Sequence, residues 1–510
     1  ACFLCTERFD EILRSRLNRA DSAPRLEGSG RCARVHAMPP RSSLKKPVAK
    51  KPAPAAAVRD DLVAPPVFAR ILPKNVGGHR DDGKAVAKRL KSWSEEKDDA
   101  RVTLSDGHGE THYTFPTRVF GPAASQEELF NEVAGPLLEK FLHASDPQSA
   151  FLFAYGQTGT GKTHTIMGPE ESWDEVRHSK WGLFPRIVDA VLTTMRGRDA
   201  SHAFSCTLSA VEFYFCQGFD LLDDHAQVDV RDGDLLGRKQ VEVKTLTDVL
   251  KVLAAVREHR TTASTKMNPA LKAAGGKEKD NKAHGGSSRS HCVLHCILRI
   301  VDRSTRDVKT VSFGTMDLAG AERPKSNDNG FASVMDAVLT YWRDPSQVKP
   351  CAQAAIINME LAALRSSVVQ AAEAHRRGRR VGAPTQLGTA AVNYMTDVFD
   401  GRCHVANIVT LSQAPKCGWE TWFACTYAED VAKLRMPDDL RSVKGKNIGK
   451  WNMQCAAMNE SAKAALERTP PKGHPSSKFY MRRKVEARHW AQEAKFVAAL
   501  AAKVAPGAEA

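Results

Sequence analysis

An apolar run that leads into a glycine-rich loop is the feature that most limits how this chain can fold. Residues 150–155 read A-F-L-F-A-Y, an unbroken apolar segment of strand length, which is typical of a buried parallel strand. The loop after it has the spacing G-x-x-x-x-G-K-[ST]. Its residues are Gly156, Gln157, Thr158, Gly159, Thr160, Gly161, Lys162 and Thr163. A strand, such a loop and a helix in this order predict an α/β fold.

The loop has the chemistry of a phosphate cradle. Its glycines let backbone N–H groups turn inward as an anion nest, because no Cβ stands in the way. We expect Lys162 to reach the β- and γ-phosphates, Thr163 to bind Mg²⁺, and the helix that begins here to point its positive end at the phosphates. A chance turn rich in Gly and Thr is the competing interpretation, and the strand-loop-helix context argues against it. ATP or GTP binding is therefore predicted, but kinases, GTPases, translocases and motors all remain open.

A second segment with functional chemistry follows a strand candidate at residues 310–316. Residues 317–323 read D-L-A-G-A-E-R. An acidic residue at the carboxyl end of a strand faces the crevice where ligands bind in open α/β sheets. We therefore expect Asp317 to contact Mg²⁺ from the second shell or through water, and Gly320 to donate its backbone N–H to a γ-phosphate.

A third segment, residues 287–291, reads S-S-R-S-H and precedes another strand candidate at residues 292–298. Serine hydroxyls can donate to phosphate or to Mg²⁺-bound water, and Arg289 can pair with a carboxylate or with the phosphate. Each of these side chains alone would be ordinary polar loop chemistry. In combination with the phosphate loop they predict a sensor of the γ-phosphate.

These three segments together resemble the kinesin motor domain, where they read approximately G-Q-T-G-[ST]-G-K-T, N-x-x-S-S-R-S-H and D-L-A-G-S-E. Further segments match family patterns in order, at residues 70–73, 115–120, 182–186, 211–214, 220–222, 260–268 and 420–428. The resemblance covers residues 65–437. It implies a P-loop NTPase of three α/β/α layers, with a mainly parallel central sheet and helices on both faces.

The resemblance also implies ATP and Mg²⁺ as ligands, ATP hydrolysis as the activity, and microtubules as the partner along which hydrolysis drives movement. The R-x-R-P segment that holds adenine corresponds to Arg70 and Pro73 here, with Leu72 replacing the second Arg, and His164 continues the phosphate loop. The remaining implied roles fall on the two switch segments. Ser287 and Ser288 would contact the γ-phosphate, Mg²⁺ and the attacking water. Arg289 would pair with Glu322 to close the site, and that pair would position or deprotonate the water. The implied Mg²⁺ set is Thr163, Ser288 and, through water, Asp317.

Several segments depart from the family pattern. Asn268 matches the start of the first switch motif, but residues 269–286 place eighteen residues where the pattern has two. Their Ala, Gly and charged composition predicts a flexible surface loop. The segment 322–357 is also longer than in the family. Residues 357–364 then resemble the relay helix I-N-K-S-L-x-A-L, with Met359 in place of the Lys.

The segment that contacts tubulin in kinesins, H-V-P-Y-R-D-S-K-L-T, is nearly lost. Residues 379–389 keep only the Pro and an L-x-T. The Arg-rich stretch 376–380 either compensates by binding acidic tubulin or is a solvated basic loop. A non-motile, nucleotide-gated binding or scaffold protein that keeps the ATP pocket is therefore the alternative function. A P-loop kinase or another NTPase fits the ordered motifs poorly.

The net charge of +15 is concentrated in the two ends of the chain. Residues 1–60 hold 13 Lys/Arg against 6 Asp/Glu, and residues 441–510 hold 14 against 5. We expect a basic, disordered extension at 1–64, the motor domain at 65–437 and a basic tail at 438–510, which contains an amphipathic helix at 478–504. A polybasic arm can bind tubulin tails, nucleic acid or anionic lipid, and all three stay open for this segment. For the chain as a whole, the resemblance implies microtubules as the partner, and we expect no nucleic acid.

Other sequence features limit the location and assembly of the chain. Its 12 Cys are scattered, as in reduced cytosolic proteins, and we expect the cytoplasm and the microtubule cytoskeleton as its location. His291, Cys292, His295 and Cys296 could suggest zinc, but on a strand the two residue types face opposite sides, so buried packing is the better interpretation. We expect no membrane span and see no sustained heptads, so the oligomeric state stays open.

Overall fold

The structure is a computed structural model. It describes residues 62–74, 76, 88–173, 178–214, 217–231, 233–266, 290–321, 333–343, 347, 350–379, 381, 388–438, 440, 442–471, 473–474, 477 and 479–505. The described residues all belong to one compact unit. The predictions for residues 1–61, for the 269–286 insertion and for most of 379–389 fall outside the described residues.

A sheet of twelve strands runs through this unit, in the order β11-β10-β9-β8-β13-β14-β7-β15-β2-β6, with β12 beside β8 and β17 beside β14. The strands are β1 Leu62–Val63, β2 Val67–Ile71, β3 Arg89–Ser94, β4 Arg101–Ser105, β5 Glu110–Thr114, β6 Arg118–Phe120, β7 Ala150–Gly156, β8 His202–Tyr214, β9 Gln217–Asp220, β10 Gln227–Arg231, β11 Asp234–Leu236, β12 Val241–Glu242, β13 His291–Asp302, β14 Asp307–Asp317, β15 His404–Leu411, β16 Met436–Pro437 and β17 Lys446–Asn447. β3, β4 and β5 form a separate small sheet, and β1 pairs with β16.

The large sheet is mixed. Parallel pairing runs from β14 through β7, β15 and β2 to β6, and the other neighbours pair antiparallel. β13 and β14 are antiparallel because only residues 303–306 join them, and so short a turn can connect only antiparallel neighbours. The strands predicted at 150–155 and 310–316 are β7 and β14. They lie in the parallel half of the sheet, so the predicted parallel pairing is found in that half.

Helices cover both faces of the sheet, which confirms the predicted three-layer α/β/α class. They are α1 Gln126–Leu129, α2 Gly135–Phe141, α3 Lys162–Ile166, α4 Leu183–Arg196, α5 Leu246–Lys266, α6 Val334–Arg343, α7 Pro350–Arg376, α8 Ala390–Asp397, α9 Gly418–Ala432, α10 Ile448–Glu467 and α11 Tyr480–Ala502. α2, α4 and α5 contribute to one core cluster, and α7, α8 and α9 contribute to the cluster on the opposite face. The segments 357–364 and 420–428, which match family helices, lie in α7 and α9.

The C-terminal segment folds back onto the sheet. β17 pairs with the start of β14, and α10 and α11 follow it. Val497 and Leu500 of α11 pack with Ile448 and Cys455 of α10 and with Val301 of β13. A helix, α11, lies within the segment 478–504, and its Val497 and Leu500 pack against Ala203 of β8, Val301 of β13 and Val308 of β14. None of the helices in the described ranges combines the length and the apolar character that a membrane crossing requires.

The His and Cys residues at the start of β13 are packed in the core. His291, Cys292, His295 and Cys296 are each at most 4% exposed. His295 Nε2 lies 2.7 Å from the hydroxyl of Tyr394, and Cys296 Sγ lies 3.6 Å from Cys206 Sγ. The two residue types pack into different surroundings, as expected for alternate positions on a strand.

Acid should destabilise the fold through His295. Burial, and secondarily the charge of Arg238, lowers the pKa of His295 to about 3, against about 6.5 in an unfolded chain. The folded state therefore favours the neutral ring: this stability is complete above pH 6.5 and is lost as the pH falls from 6.5 towards 3. Between pH 7 and pH 5 we expect the free energy of unfolding to fall by about 2 kcal/mol from this group. Urea titrations at both pH values would test this: a His295→Gln variant should lose that part of the pH dependence, and an unchanged slope would contradict it.

Candidate functional site

The loop after β7 adopts a backbone that its glycines permit. Gly156, Gly159 and Gly161 have φ angles of +153°, +78° and +97°. A Cβ at Gly156 would lie 2.5 Å from the backbone oxygen of Thr410, so only glycine fits between the two parallel strands β7 and β15. Thr160 fixes the loop from its other side, because its Oγ1 lies 2.6 Å from Thr410 Oγ1. The loop is therefore tied to the carboxyl end of β15.

Lys162 lies inside the curve of this loop. Its side chain is buried, and its Nζ donates to the backbone oxygens of Gly156 at 2.8 Å and Gln157 at 2.9 Å. The predicted helix begins at this residue, but α3 is only five residues long and the chain turns at Gly168, whose φ is +85°. A helix this short has a small macrodipole, so the loop amides and the ammonium of Lys162 would provide most of the attraction for an anion.

Asp317 lies beside the loop at the carboxyl end of β14, where it pairs in register with Ala154 of β7. Its Oδ2 accepts hydrogen bonds from Thr163 Oγ1 at 2.6 Å and from Arg260 Nη1 at 2.9 Å. The side chains of Asp317 and Arg260 are each 4% exposed. The predicted neighbourhood of Thr163 and Asp317 thus exists in the structure, and Arg260 adds a buried positive charge.

Arg260 links the site to the start of β13. Its Nη2 donates to the backbone oxygen of Ser290 at 3.4 Å, and the Ser290 hydroxyl donates to Glu212 on β8. Burial raises the pKa of Glu212, and the nearby charge of Arg260 opposes that effect. Sequence reasoning assigned no role to Arg260, although this residue begins a segment, 260–268, that matches a family pattern.

A second cluster lies on the other side of α3, around Arg70. Burial lowers the pKa of Arg70 to about 10, and its Nη1 donates to Gln126 Oε1 at 3.0 Å and to Thr165 Oγ1 at 2.8 Å. Gln126 in turn donates to the backbone oxygen of His164 at 2.6 Å. Desolvation, followed by the charge of Arg70, lowers the pKa of His164, so its ring is neutral at pH 7. Gln126, which sequence reasoning missed, holds the two predicted residues together.

The residues present fit a Mg²⁺ ion. Thr163 offers a hydroxyl, and Asp317 offers a carboxylate whose Oδ1 is buried and has no hydrogen-bond partner within the described ranges. Hydroxyl, carboxylate and water oxygens are the ligands that Mg²⁺ prefers. A carboxylate oxygen with spare accepting capacity beside a threonine hydroxyl suits an ion that keeps part of its water shell.

The structure brings together only part of the predicted set. The phosphate loop, Thr163, Asp317 and Gly320 lie at adjacent carboxyl ends of β7 and β14, and Gly320 is buried. Pro73 follows β2, whose Ile71 pairs with Leu411 of β15, so it belongs to the same edge of the sheet. Ser287, Ser288, Arg289 and Glu322 lie outside the described residues, and their roles stay predictions.

Comparisons with known proteins agree with this geometry. The sequence profile of the kinesin motor domain matches residues 70–434. The kinesin-like protein KIN-12A of Arabidopsis thaliana is 30% identical over 305 residues, which cover 56% of this chain and 21% of that protein. KIN-12B of the same plant is 26% identical over 416 residues, covering 77% of this chain and 29% of that protein. The chain thus spans between a fifth and a third of the length of these relatives.

A solved structure shows the same fold. The structure of a fast kinesin superimposes with a TM-score of 0.56 at 20% identity, and the match covers 74% of this chain and 94% of that one. The profile match includes Arg70 near the end of β2, the phosphate loop, Arg260 and Asp317, which build the site. The chain belongs to the kinesin motor domain family.

Proposed function

We propose that this chain hydrolyses ATP with Mg²⁺ and that it binds microtubules and moves along them. The observation that carries the proposal is the meeting of the phosphate loop with Thr163, Asp317 and Arg260 at the carboxyl ends of β7 and β14. The family has ATPase members, and its motor domain in general binds microtubules. We also propose 1–64 as a basic extension, 65–437 as the motor and 438–510 as a tail, with the cytoplasmic microtubule cytoskeleton as the location.

Each residue of the site would have a distinct role in binding the nucleotide. The loop amides and Lys162 would hold the phosphates, Thr163 and Asp317 would hold Mg²⁺, and Arg70, Pro73 and His164 would border the adenine. Bound Mg²⁺ would neutralise charge on the phosphates. Phosphoryl transfer depends mainly on placing the reacting groups and stabilising their charge. A rigid, buried set of residues of this kind would be sufficient to bind and orient the nucleotide. We further propose that Ser287, Ser288, Arg289 and Glu322 complete the site around the attacking water and that Gly320 donates to the γ-phosphate.

Steady-state ATP hydrolysis with and without microtubules tests this function. We expect slow hydrolysis without microtubules and turnover severalfold higher with them, because a motor couples the nucleotide site to its track. Basal ATP hydrolysis without stimulation by microtubules would contradict motor function and support the alternative, a nucleotide-gated binding protein.

Microtubule binding itself should depend on the basic end of α7. Arg376 and Arg377 are 72% and 55% exposed, and both contact Glu373. The double variant Arg376→Ala/Arg377→Ala should weaken co-sedimentation with microtubules, most strongly at low salt, because exposed charges are screened as salt rises. Lys463→Ala, which removes an exposed Lys paired with Glu460 on α10, is the matched control. Equal binding by both variants would contradict a contact through α7.

A further inference from the structure

Glu360 is a buried carboxylate on α7 in apolar surroundings. Its side chain is 3% exposed, and its helix neighbours Ile357, Leu361 and Leu364 belong to the core cluster between α7 and the sheet. It occupies the position at which the relay-helix pattern I-N-K-S-L-x-A-L has Ser. A carboxylate in such a place is costly unless a polar group faces it. The polar groups that face Glu360 therefore show which interactions it can make.

His291 faces this carboxylate. The distance from His291 Nε2 to Glu360 Oε2 is 3.7 Å, and the His291 side chain is 1% exposed. The other ring nitrogen, Nδ1, accepts a hydrogen bond from the backbone N–H of Ala319 at 3.0 Å. His291 is the last residue of the S-S-R-S-H segment, and Ala319 lies in the turn that follows Asp317. One imidazole thus connects α7 to both predicted switch segments.

The hydrogen bond from Ala319 determines which nitrogen of His291 carries the proton. A backbone N–H can only donate, so Nδ1 must offer its lone pair. The neutral ring then carries its proton on Nε2, the atom that faces Glu360. The carboxylate therefore favours the tautomer that holds Ala319, because it attracts an N–H at Nε2 and would repel a lone pair there.

Ala319 links the contact between His291 and Glu360 to the proposed phosphate site. Ala319 precedes Gly320, whose N–H is the proposed donor to the γ-phosphate. Holding the Ala319 N–H fixes the peptide unit that joins Leu318 to Ala319, and so limits the backbone freedom of the turn one unit before the Gly320 N–H. We propose that Glu360 is a positioning residue which, through His291, sets the orientation of the Asp317–Gly320 turn and connects it to α7. This role rests on the proposed ATP hydrolysis.

Among the described residues, the charged side chains of Arg260, Asp317 and Glu212 lie on the opposite face of β13. Cys292 interacts electrostatically with Arg260, Asp317 and Glu212, whereas the adjacent His291 points towards α7. Successive residues of a strand face opposite sides, so the Asp317 and Glu212 carboxylates are placed away from the imidazole of His291. Glu360 therefore acts on His291 from its own face, independently of the Thr163–Asp317 contact.

Three variants of Glu360 test the proposal by kinetics. Glu360→Gln keeps an oxygen that can accept from Nε2, Glu360→Leu fills a similar volume without an acceptor, and Glu360→Ser is too short to reach the ring. We expect the Leu and Ser variants to lower kcat for ATP hydrolysis by about 10- to 100-fold, the range for a misplaced reacting group. KM for ATP should change by less than about threefold, because the phosphate loop is intact. The Gln variant should stay within about threefold of the parent protein.

A spectroscopic signature separates positioning from loss of stability. In protein labelled with ¹⁵N-histidine, the ring signals of His291, assigned by their absence in a His291→Gln variant, should show Nε2–H as the single tautomer in the parent and the Gln variant. The Leu and Ser variants should show a mixture of tautomers. The Ala319 amide should also exchange its hydrogen about tenfold faster in them, since its acceptor is less well oriented.

Asp430→Asn is the matched control. Asp430 on α9 is also buried and contacts α7, through Arg365 at 2.7 Å, but it does not contact His291. Its loss should lower stability and leave kcat and the His291 tautomer unchanged. Parent-like kcat and a single Nε2–H tautomer in the Leu and Ser variants would overturn the role of Glu360. If the parent protein does not hydrolyse ATP, the proposed function fails, and the tautomer and exchange measurements still decide whether Glu360 positions the turn.

Discussion

Replacing Lys162 with alanine is expected to lower kcat for ATP hydrolysis by about 10²–10³-fold, the usual effect of removing one buried charge-stabilising donor. Lys162 brings a buried ammonium into the curve of the phosphate loop, where its Nζ is held by the backbone oxygens of Gly156 and Gln157. Phosphoryl transfer depends on such preorganised charge, since the reaction spreads negative charge over the phosphoryl oxygens. Phosphate release at saturating microtubules measures the effect.

Two further variants separate chemistry from folding in this experiment. Lys162→Arg keeps the charge but changes its shape, so we expect it to fold normally and to recover only part of the activity. Lys180→Ala removes an exposed Lys that acts on His164 only through its charge, and it should behave like the parent. The alanine variant also loses two hydrogen bonds, at a cost of about 1–3 kcal/mol, so its folding is to be checked by circular dichroism. A folded Lys162→Ala protein with parent-like kcat would show that the loop is not the phosphate site.

The phosphate-loop half of the site was predictable because its signal is local. The strand, the loop and the start of the helix lie within residues 150–166, so apolar continuity and glycine spacing specify them without knowledge of distant contacts. Asp317 could be placed for a related reason, since it ends an apolar strand and the carboxyl ends of parallel strands meet at one edge. The shortness of α3 was not predicted, because it results from the positive φ of Gly168, where the chain turns against Gly182.

The partners of these residues were not predictable, because each contact joins distant parts of the chain. Arg260 and Asp317 are 57 residues apart, and Arg70 and Thr165 are 95 apart. Only the order of the strands in the sheet brings such pairs together, and the antiparallel hairpin of β13 and β14 interrupts the parallel arrangement that was predicted.

Outside the site, the sequence did contain a signal for one long-range contact. Arg299 is a charged residue in the apolar run of β13, and a charge there requires a buried partner.

Replacing Glu493 with alanine is expected to lower the free energy of unfolding by about 3–5 kcal/mol, because it leaves the buried charge of Arg299 unpaired. Glu493 of α11 forms an ion pair with Arg299 of β13, and the two side chains are 15% and 2% exposed. Gln240 joins them, since its Oε1 accepts from Arg299 at 2.9 Å and its Nε2 donates to Glu493 at 3.2 Å. A cleft of about 470 Å³ borders these residues and the Glu493 side chain is 15% exposed, so the pair is partly solvated and the loss should lie near the lower end of the range.

Urea denaturation of four variants isolates this ion pair from the packing of α11. Glu486→Ala removes the other Glu of α11, which pairs with Arg483 at 2.8 Å and with Arg231 of β10 at 3.6 Å. It should cost at most about 1 kcal/mol, because both pairs are partly solvated. The double variant Arg299→Met/Glu493→Leu should recover most of the stability that Glu493→Ala loses, because apolar replacement of both partners removes the unpaired charge. Arg299→Met alone should cost less than Glu493→Ala, because the carboxylate it leaves retains contact with solvent. If Glu493→Ala costs less than about 1 kcal/mol, α11 is held to the sheet by its apolar face, and the buried ion pair does not stabilise the C-terminal segment on the motor.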